Sequence, residues 1–215
     1  MADVSQDKFT YDPRRASRHL RRVDPLLAEV MAKVGPYRPS MRAMKSPFDS
    51  LLRAITYQQL SGKAAATIHG RVVALFPEES GPHPALLLEL PHRALRGAGL
   101  SRNKLLALRD LAARTLDGTV PDYRSLARMT DEEIIERLTR VRGVGRWTVE
   151  MLLIFSLGRP DVLPVTDLGV RKGFRHAYGM KSLPAYSTVE RAGRRWAPYR
   201  SVAAWYLWQA ADTLV

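Results

Sequence analysis

The sequence predicts an all-α fold, and three observations favour it. Helix start and stop signals recur along the whole chain, whereas alternating strand patterns between hairpin turns are scarce. Hydrophobic residues make up 46% of the 215 residues, which is enough for a packed core. No low-complexity segment divides the chain, so we expect one compact unit with two helical lobes.

Cap residues, prolines and glycines mark the helices of the first half. In chain order the predicted elements are a basic helix at 14–22, a helix between Asp24-Pro25 and Gly35-Pro36, a helix opened by Ser46 with Leu51, Leu52 and Ile55 on its inner face, a helix from Ser61 to about residue 75, and short helices from residue 84 that precede a longer one between Ser101 and Gly118. The spacing of Ser46 and Asp49 is that of a capping box in which Asp replaces the usual Glu.

The second half continues in the same manner. Thr130 and Glu133 have the spacing of a capping box and predict a helix over about 131–139. Gly158 and Pro160 end the next helix. The remaining predicted helices cover about 146–157, 168–178, 188–196 and 200–214.

Charge and composition restrict the partners and the chemistry. The chain has 34 Lys and Arg against 21 Asp and Glu, a net charge of +13 that favours nucleic acid over membrane lipid. The absence of cysteine excludes disulfides, thiol nucleophiles and iron–sulfur clusters, and the five scattered histidines favour no transition-metal site. No apolar run or signal segment indicates a membrane, so we expect a cytoplasmic protein.

Two glycines flank one valine where two predicted helices meet. Gly143 and Gly145 permit close backbone approach, and the helix that begins near Arg146 presents unpaired amides and the positive end of its dipole. This pattern indicates a seat for a phosphate, with Val144 holding the turn in the core. An ordinary turn is the alternative interpretation.

The sequence GVGRWTVEMLL at 143–153, followed by PVTDLGV at 164–170, resembles the helix-hairpin-helix DNA glycosylase superfamily. Within it, the resemblance is to the 3-methyladenine DNA glycosylase II family, and QQLS at 58–61 and WAPYRS at 196–201 extend it. It implies a tail at 1–13 and a glycosylase domain at 14–215. Lobe one would cover about 47–158 and lobe two about 14–46 plus 159–215, with the active-site cleft between them. We expect a compact form that lacks the N-terminal mixed domain of larger members.

The resemblance implies a monofunctional DNA N-glycosylase of base excision repair. Such an enzyme flips out and excises alkylated purines of the 3-methyladenine or 7-methylguanine type, and leaves an abasic site. Asp167 matches the family's catalytic aspartate, although a residue at this position could merely cap the following helix. Trp147 stands where lyase members carry a lysine, so no Schiff base and no strand cleavage are expected.

The resemblance also implies roles for other residues. The base pocket would be lined by Trp147, Trp208 and Met151, and the wedge that fills the DNA stack would be Gln59 or Leu60. The predicted phosphate contacts are Gly143, Gly145, Arg146, Thr148, Arg102 and Lys104. Backbone carbonyls expected to hold a monovalent cation, Na⁺ or K⁺, are those of Thr139, Val141 and Val144.

For the tryptophans and Met151, simple core packing is the alternative, and for the wedge it is a plain helix end. The expected partner is double-stranded DNA containing alkylated bases, bound by a monomer that requires no cofactor and no obligate protein partner. Two other functions stay open at this point. One is a non-catalytic helix-hairpin-helix DNA-binding module, and the other is a glycosylase for oxidised or deaminated bases.

Overall fold

The computed structural model describes residues 9–41, 44–79 and 81–213. Within these residues every regular element is a helix, which confirms the all-α prediction. In chain order the elements are α1 Pro13–Val23, α2 Pro25–Val34, α3 Pro47–Tyr57, α4 Gly62–Val73, α5 Pro84–Glu89, α6 His92–Gly97, α7 Arg102–Leu116, α8 Tyr123–Leu126, α9 Asp131–Leu138, α10 Arg146–Phe155, α11 Leu168–Ala177, α12 Tyr186–Gly193, a 3-10 turn Arg194–Trp196 and α13 Arg200–Thr213. Leu214, the predicted last helical residue, and residues 1–8 of the predicted tail lie outside the described residues.

N-cap side chains begin helices where the sequence predicts them. The Ser101 hydroxyl accepts a hydrogen bond from the Lys104 amide at 3.2 Å at the start of α7. At the start of α9, the Thr130 hydroxyl accepts from the Glu133 amide and the Glu133 carboxylate accepts from the Thr130 amide at 2.7 Å. The predicted capping box is therefore confirmed.

Two helix starts differ from the prediction, and α10 ends at Phe155, two residues before its predicted end. The single turn α8 follows the N-cap residue Asp122 and was not predicted, because four residues are too few to display a helical period. Helix α12 begins at Tyr186, two residues before the predicted start. Its N-cap residue Ala185 has no side-chain acceptor, so the usual sequence signal for a helix start is absent there.

The chain divides into two compact units. The terminal unit consists of Met1–Ala43 and Leu153–Val215, and the central unit is Met44–Leu152. The core of the terminal unit is built from apolar side chains of α1, α2 and α11 to α13. Helices α11 and α13 approach each other closely at Gly173, where an added Cβ would lie 1.8 Å from the carbonyl oxygen of Leu207. A larger residue there would force the two helices apart.

A buried polar group also orders the terminal unit. Asp24, the N-cap residue of α2, is 1% exposed and accepts hydrogen bonds from the Trp196 indole at 2.8 Å and from the Tyr178 hydroxyl. These donors satisfy a carboxylate that would otherwise be costly to bury. Thr10, inside the segment predicted as a tail, donates to the carbonyl of Gly158 at 2.8 Å.

The central unit contains α3 to α9 and most of α10. The residues predicted for the inner face of α3, Leu51, Leu52 and Ile55, are fully buried. A turn of seven residues, 139–145, connects α9 to α10 and carries the two glycines singled out above. Across the described part of the chain, the helices are too short or too polar to span a bilayer.

Candidate functional site

Asp167 lies half-buried immediately before α11 and is its N-cap residue. Its Oδ1 accepts a hydrogen bond from the Val170 amide at 2.8 Å. The helix-capping role that the sequence left as an alternative is therefore present. The same position places the carboxylate at the positive end of the α11 dipole, which stabilises its negative charge.

A second donor reaches the same oxygen from α13. The indole Nε1 of Trp208 donates to Oδ1 of Asp167 at 2.8 Å, and the indole ring lies 5.5 Å from the ring of Phe155. Gly169 leaves room for the indole, because a Cβ there would lie 2.7 Å from Cδ1 of Trp208. The structure thus joins two residues to which the sequence gave separate roles, and it shows that Gly169 is needed for their contact.

The turn between α9 and α10 has the geometry of a tight hairpin. Gly143 has φ +76°, a conformation that favours glycine. The Val144 amide donates to the carbonyl of Val141 at 3.0 Å, and the Val144 side chain is 5% exposed. Gly145 accepts the first helical hydrogen bond of α10 through its carbonyl, and an added Cβ there would meet no atom within 4 Å. Packing inside the central unit therefore does not require glycine at 145.

Two side chains from distant segments hold this hairpin in place. Nε2 of Gln58, at the end of α3, donates to the carbonyl of Gly143 at 2.8 Å. Oδ2 of Asp110, on α7, accepts from the Arg142 amide at 2.7 Å. Sequence reasoning missed both contacts, because the partners lie 85 and 32 positions apart and no spacing signal links them.

The segment between α3 and α4 exposes the two predicted wedge residues. Gln59 is exposed and has φ +56°, which is strained for a residue other than glycine, and Leu60 is 39% exposed. Lys104 supports the end of α3, since its Nζ donates to the carbonyl of Thr56 at 2.8 Å. Desolvation lowers the pKa of Lys104 below its ordinary value. In this structure Lys104 therefore holds the α3 end, and its predicted phosphate contact stays a prediction.

The other predicted phosphate contacts differ in their surroundings. Arg146 forms a bidentate ion pair with Glu132, in which both N···O distances are 2.9 Å. Its Nε also donates to Glu150 at 3.2 Å. The hydrogen bonds from Arg146 lower the pKa of Glu132. Arg102 is exposed on α7. Thr148 is 6% exposed, so its buried side chain gives no support to a phosphate contact.

The two remaining pocket candidates lie on α10. Trp147 is 46% exposed and Met151 is half-buried. They are four positions apart in the sequence, so they share one face of the helix. Both belong to the central unit, whereas Asp167 and Trp208 belong to the terminal unit.

In the part of the chain that the structure describes, no three acidic or histidine side chains are grouped so that they could hold a metal ion. The backbone at the end of α9 is different. Thr139 is the C-cap residue of α9, so its carbonyl lies at the negative end of that helix. The Val141 carbonyl accepts from Val144 and keeps a second lone pair. These groups fit a monovalent cation, whose binding stays a prediction.

Comparison with protein families identifies the superfamily to which the chain belongs. The profile of the HhH-GPD superfamily of base excision DNA repair proteins matches residues 52–198. The chain belongs to the HhH-GPD superfamily. The matched HhH-GPD segment contains the segment with Gln59, the hairpin with Gly143 and Gly145, and Asp167.

Several relatives within the HhH-GPD superfamily are similar over nearly the whole chain. DNA-3-methyladenine glycosylase 1 of Schizosaccharomyces pombe is 39% identical over 199 residues, which are 92% of this chain and 87% of the relative. A solved structure of an S. pombe 3-methyladenine DNA glycosylase in complex with abasic DNA matches with a TM-score of 0.82 at 39% identity, covering 91% of this chain and 95% of that one. DNA-3-methyladenine glycosidase from Bacillus halodurans matches with a TM-score of 0.83 at 35% identity, covering 96% and 93%. The predicted glycosylase fold is confirmed.

Proposed function

We propose that this HhH-GPD protein is a monofunctional DNA N-glycosylase that excises alkylated purines from duplex DNA. The observation that carries the proposal is the carboxylate of Asp167, whose Oδ1 receives N–H donors from Val170 and Trp208. A carboxylate held in this way can stabilise positive charge that develops on a sugar. Similarity to 3-methyladenine glycosylases supports an alkylated base as the substrate.

The reaction breaks the bond between the base and C1′ of the deoxyribose. Its electron pair leaves with the base, so a purine made cationic by alkylation departs as a neutral molecule. C1′ acquires oxocarbenium-like charge, which the negative charge of Asp167 stabilises. Water then adds to C1′ and gives up a proton, for which the carboxylate is a suitable acceptor. The products are a free base and an abasic site.

Both tryptophans, Trp147 and Trp208, support the substrate class, and Trp147 also supports the absence of lyase chemistry. A cationic base over an indole face gains about 0.5–2 kcal/mol, a preference that a neutral base lacks. We infer that Trp208, which contacts Asp167 in the terminal unit, meets the flipped purine, and the pocket roles of Trp147 and Met151 stay predictions. An indole has no amine that could attack C1′, so water is the nucleophile and no covalent intermediate with the enzyme forms.

The hairpin suits a DNA backbone. Around Gly145 the central unit leaves open space, and the positive end of the α10 dipole lies beside it. We infer that a phosphate lies there, with the predicted cation on the carbonyls of Thr139, Val141 and Val144. The exposed pair Gln59 and Leu60 would fill the gap that a flipped nucleotide leaves.

Asp167→Asn tests the proposal, because asparagine keeps an Oδ1 that can accept from Val170 and Trp208 and remains a good N-cap residue. Only the charge is lost. We expect single-turnover release of 3-methyladenine from methylated duplex DNA to fall about 100-fold or more, the scale expected for one preorganised electrostatic group. Binding of an abasic-site duplex should be retained.

Asp212, exposed on α13, offers a matched control, and Asp212→Asn should leave base release unchanged. If wild type and Asp167→Asn both bind duplex DNA but neither releases base, the chain is a non-catalytic module and the proposal is wrong. Faster release of an oxidised or deaminated base than of 3-methyladenine would contradict the substrate class. Borohydride should trap no adduct with an abasic-site duplex, since Trp147 replaces the amine that trapping needs.

A further inference from the structure

The terminal unit has a cavity whose lining residues do not include Asp167 or Trp208. It has a volume of about 470 Å³ and is lined by Arg15, Arg18, His19 and Arg22 of α1 and by the segment Pro198–Tyr199 that precedes α13. All three arginines are exposed. Three guanidinium groups in one concave surface point to an anionic ligand.

The charge on α1 is not compensated locally. The helix carries five arginines and no acidic residue. Among the residues that the structure describes, no carboxylate forms an ion pair with Arg15, Arg18 or Arg22. Like charges three and four positions apart on one helix repel each other, so the arrangement is unfavourable without a counter-charge. An anion in the cavity would remove that repulsion.

A second, independent observation comes from His19. Its Nε2 is buried and has no hydrogen-bond partner in the described part of the protein, although the ring packs edge-on against Tyr199 at a centroid distance of 5.4 Å. Buried polar atoms without a partner are rare in folded proteins and are often explained by a ligand or ion. His19 lines the cavity but its Nε2 is shielded from solvent, so the three exposed arginines are the groups that a ligand in the cavity would meet.

We propose that this cavity binds backbone phosphates of duplex DNA. The proposal rests on the proposed function, which brings a polyanionic duplex to the protein. Arg15 and Arg22 are seven residues apart, about 10 Å along the helix axis. Laid along the duplex axis, that length spans about three phosphate-to-phosphate intervals of one strand at 3.4 Å each. Planar guanidinium groups match phosphate oxygens in pairs, which an isolated lysine cluster would not do.

The salt dependence of DNA binding tests the proposal. The cavity variant replaces Arg15, Arg18 and Arg22 together by Gln, and the control variant replaces the exposed Arg93, Arg124 and Arg128 of the central unit in the same way, with an equal change of charge. Fluorescence anisotropy with an undamaged duplex, between about 50 and 200 mM salt, gives the slope of log K against log salt. Each phosphate contact contributes about 0.9 to that slope, so we expect the cavity variant to lose about 2 to 3 and the control variant less than about 1.

Because the chain contains no cysteine, one introduced thiol can report whether DNA covers the cavity. Arg22→Cys introduces a single thiol at the cavity, and saturating duplex DNA should slow its alkylation by neutral iodoacetamide several-fold. Ala127→Cys, exposed in the central unit, should react equally with and without DNA. Circular dichroism and thermal melting test whether the exposed substitutions leave the fold intact.

Several results would overturn the proposal. Equal slope losses in the two triple variants would show a general charge effect, and an unchanged slope in the cavity variant would mean that the cavity holds something else, such as an acidic peptide. An unprotected Arg22→Cys thiol would likewise contradict it. These outcomes are separable from failure of the proposed function. One such result is a wild-type protein that binds DNA with the predicted slopes and yet releases no alkylated base. That result would contradict the proposed enzymatic function and would still support the phosphate site.

Discussion

The Oδ1 atom of Asp167 receives two N–H donors from different parts of the chain. The Val170 donor belongs to the same helix start, whereas the Trp208 donor lies 41 positions away on α13. Hydrogen bonds to a charged acceptor are stronger than those between neutral groups, and two of them restrict rotation of the carboxylate. The orientation of Asp167 therefore depends on Trp208, which we regard as a positioning residue.

Trp208→Phe removes the indole N–H and keeps an aromatic ring beside Phe155. A hydrogen bond to a charged group contributes about 1.5–3 kcal/mol, so we expect single-turnover base release to slow by about 10- to 100-fold. The affinity for an abasic-site duplex and the melting temperature should change little. Measuring all three on the same preparation separates an effect on the chemical step from an effect on folding.

Trp205 provides the control on the same helix. Its ring packs edge-on against Tyr37 at 5.0 Å. Trp205→Phe should therefore leave base release close to wild type. An equal loss of rate in both variants would mean that Trp208 acts only through packing.

The sequence identified Asp167 and Trp208 separately but not their contact. A motif places the aspartate, and an aromatic residue near the C-terminus is an evident pocket candidate. Their hydrogen bond depends on the close approach of α11 to α13, which requires glycine at 169 and 173. Those glycines are present in the sequence, but no neighbouring residue indicates that they face another helix. Tertiary proximity of this kind is not encoded in residue spacing.

The hairpin between α9 and α10 contains two glycines with different requirements. Gly143 needs its residue type because of a positive φ, and its carbonyl accepts from Gln58. Gly145 has neither a positive φ nor a neighbour within 4 Å of an added Cβ. Folding accounts for the first glycine, and the proposed phosphate contact would account for the second.

We expect Gly143→Ala and Gly145→Ala to separate these requirements. Alanine at 143 should lower the free energy of unfolding by about 1–2 kcal/mol, because the left-handed conformation is unfavourable for residues with a Cβ. Alanine at 145 should leave unfolding unchanged and weaken duplex binding by about tenfold, equal to about 1.4 kcal/mol. Urea denaturation and anisotropy measure the two effects.

Gly70 supplies the control for the hairpin variants. It lies exposed within α4 with no atom near an added Cβ, so Gly70→Ala should stabilise the protein by up to about 1 kcal/mol and leave DNA binding intact. Unaltered DNA binding by Gly145→Ala would contradict the assignment of a phosphate to that face of the hairpin.

Elements with strong caps could be predicted from sequence, and weakly marked ones could not. Helices α7 and α9 begin where Ser101 and Thr130 predict, because a side-chain acceptor three residues before a backbone donor is a local signal. The start of α12 after Ala185 lacks that signal. The interactions that hold the hairpin, from Gln58 and Asp110, depend on how α3 and α7 pack and have no local signature.

The net charge of +13 acts at the scale of the whole molecule. Some arginines have acidic partners, as in the pairs Arg146 with Glu132 and Arg200 with Asp161. Those of α1 that line the cavity have none among the described residues. An excess of unpaired positive charge attracts a polyanion over distances comparable to the Debye length, about 8–10 Å at physiological salt. We therefore expect the charge to govern binding, whereas the proposed chemical step depends on contacts at Asp167.

This separation predicts different salt dependences for the two steps. Between about 50 and 200 mM salt, the affinity of wild type for duplex DNA should weaken by at least about 100-fold, because binding releases condensed counterions. The rate constant for base release at saturating enzyme should stay within about twofold, since direct contacts of the half-buried Asp167 are little screened. Anisotropy and single-turnover kinetics at matched salt measure the two quantities.

Asp167→Asn should give the same slope of log K against log salt as wild type, because Asp167 acts after the duplex is bound. A rate constant that falls in parallel with affinity, even at saturating enzyme, would show that the screened charges take part in the chemical step.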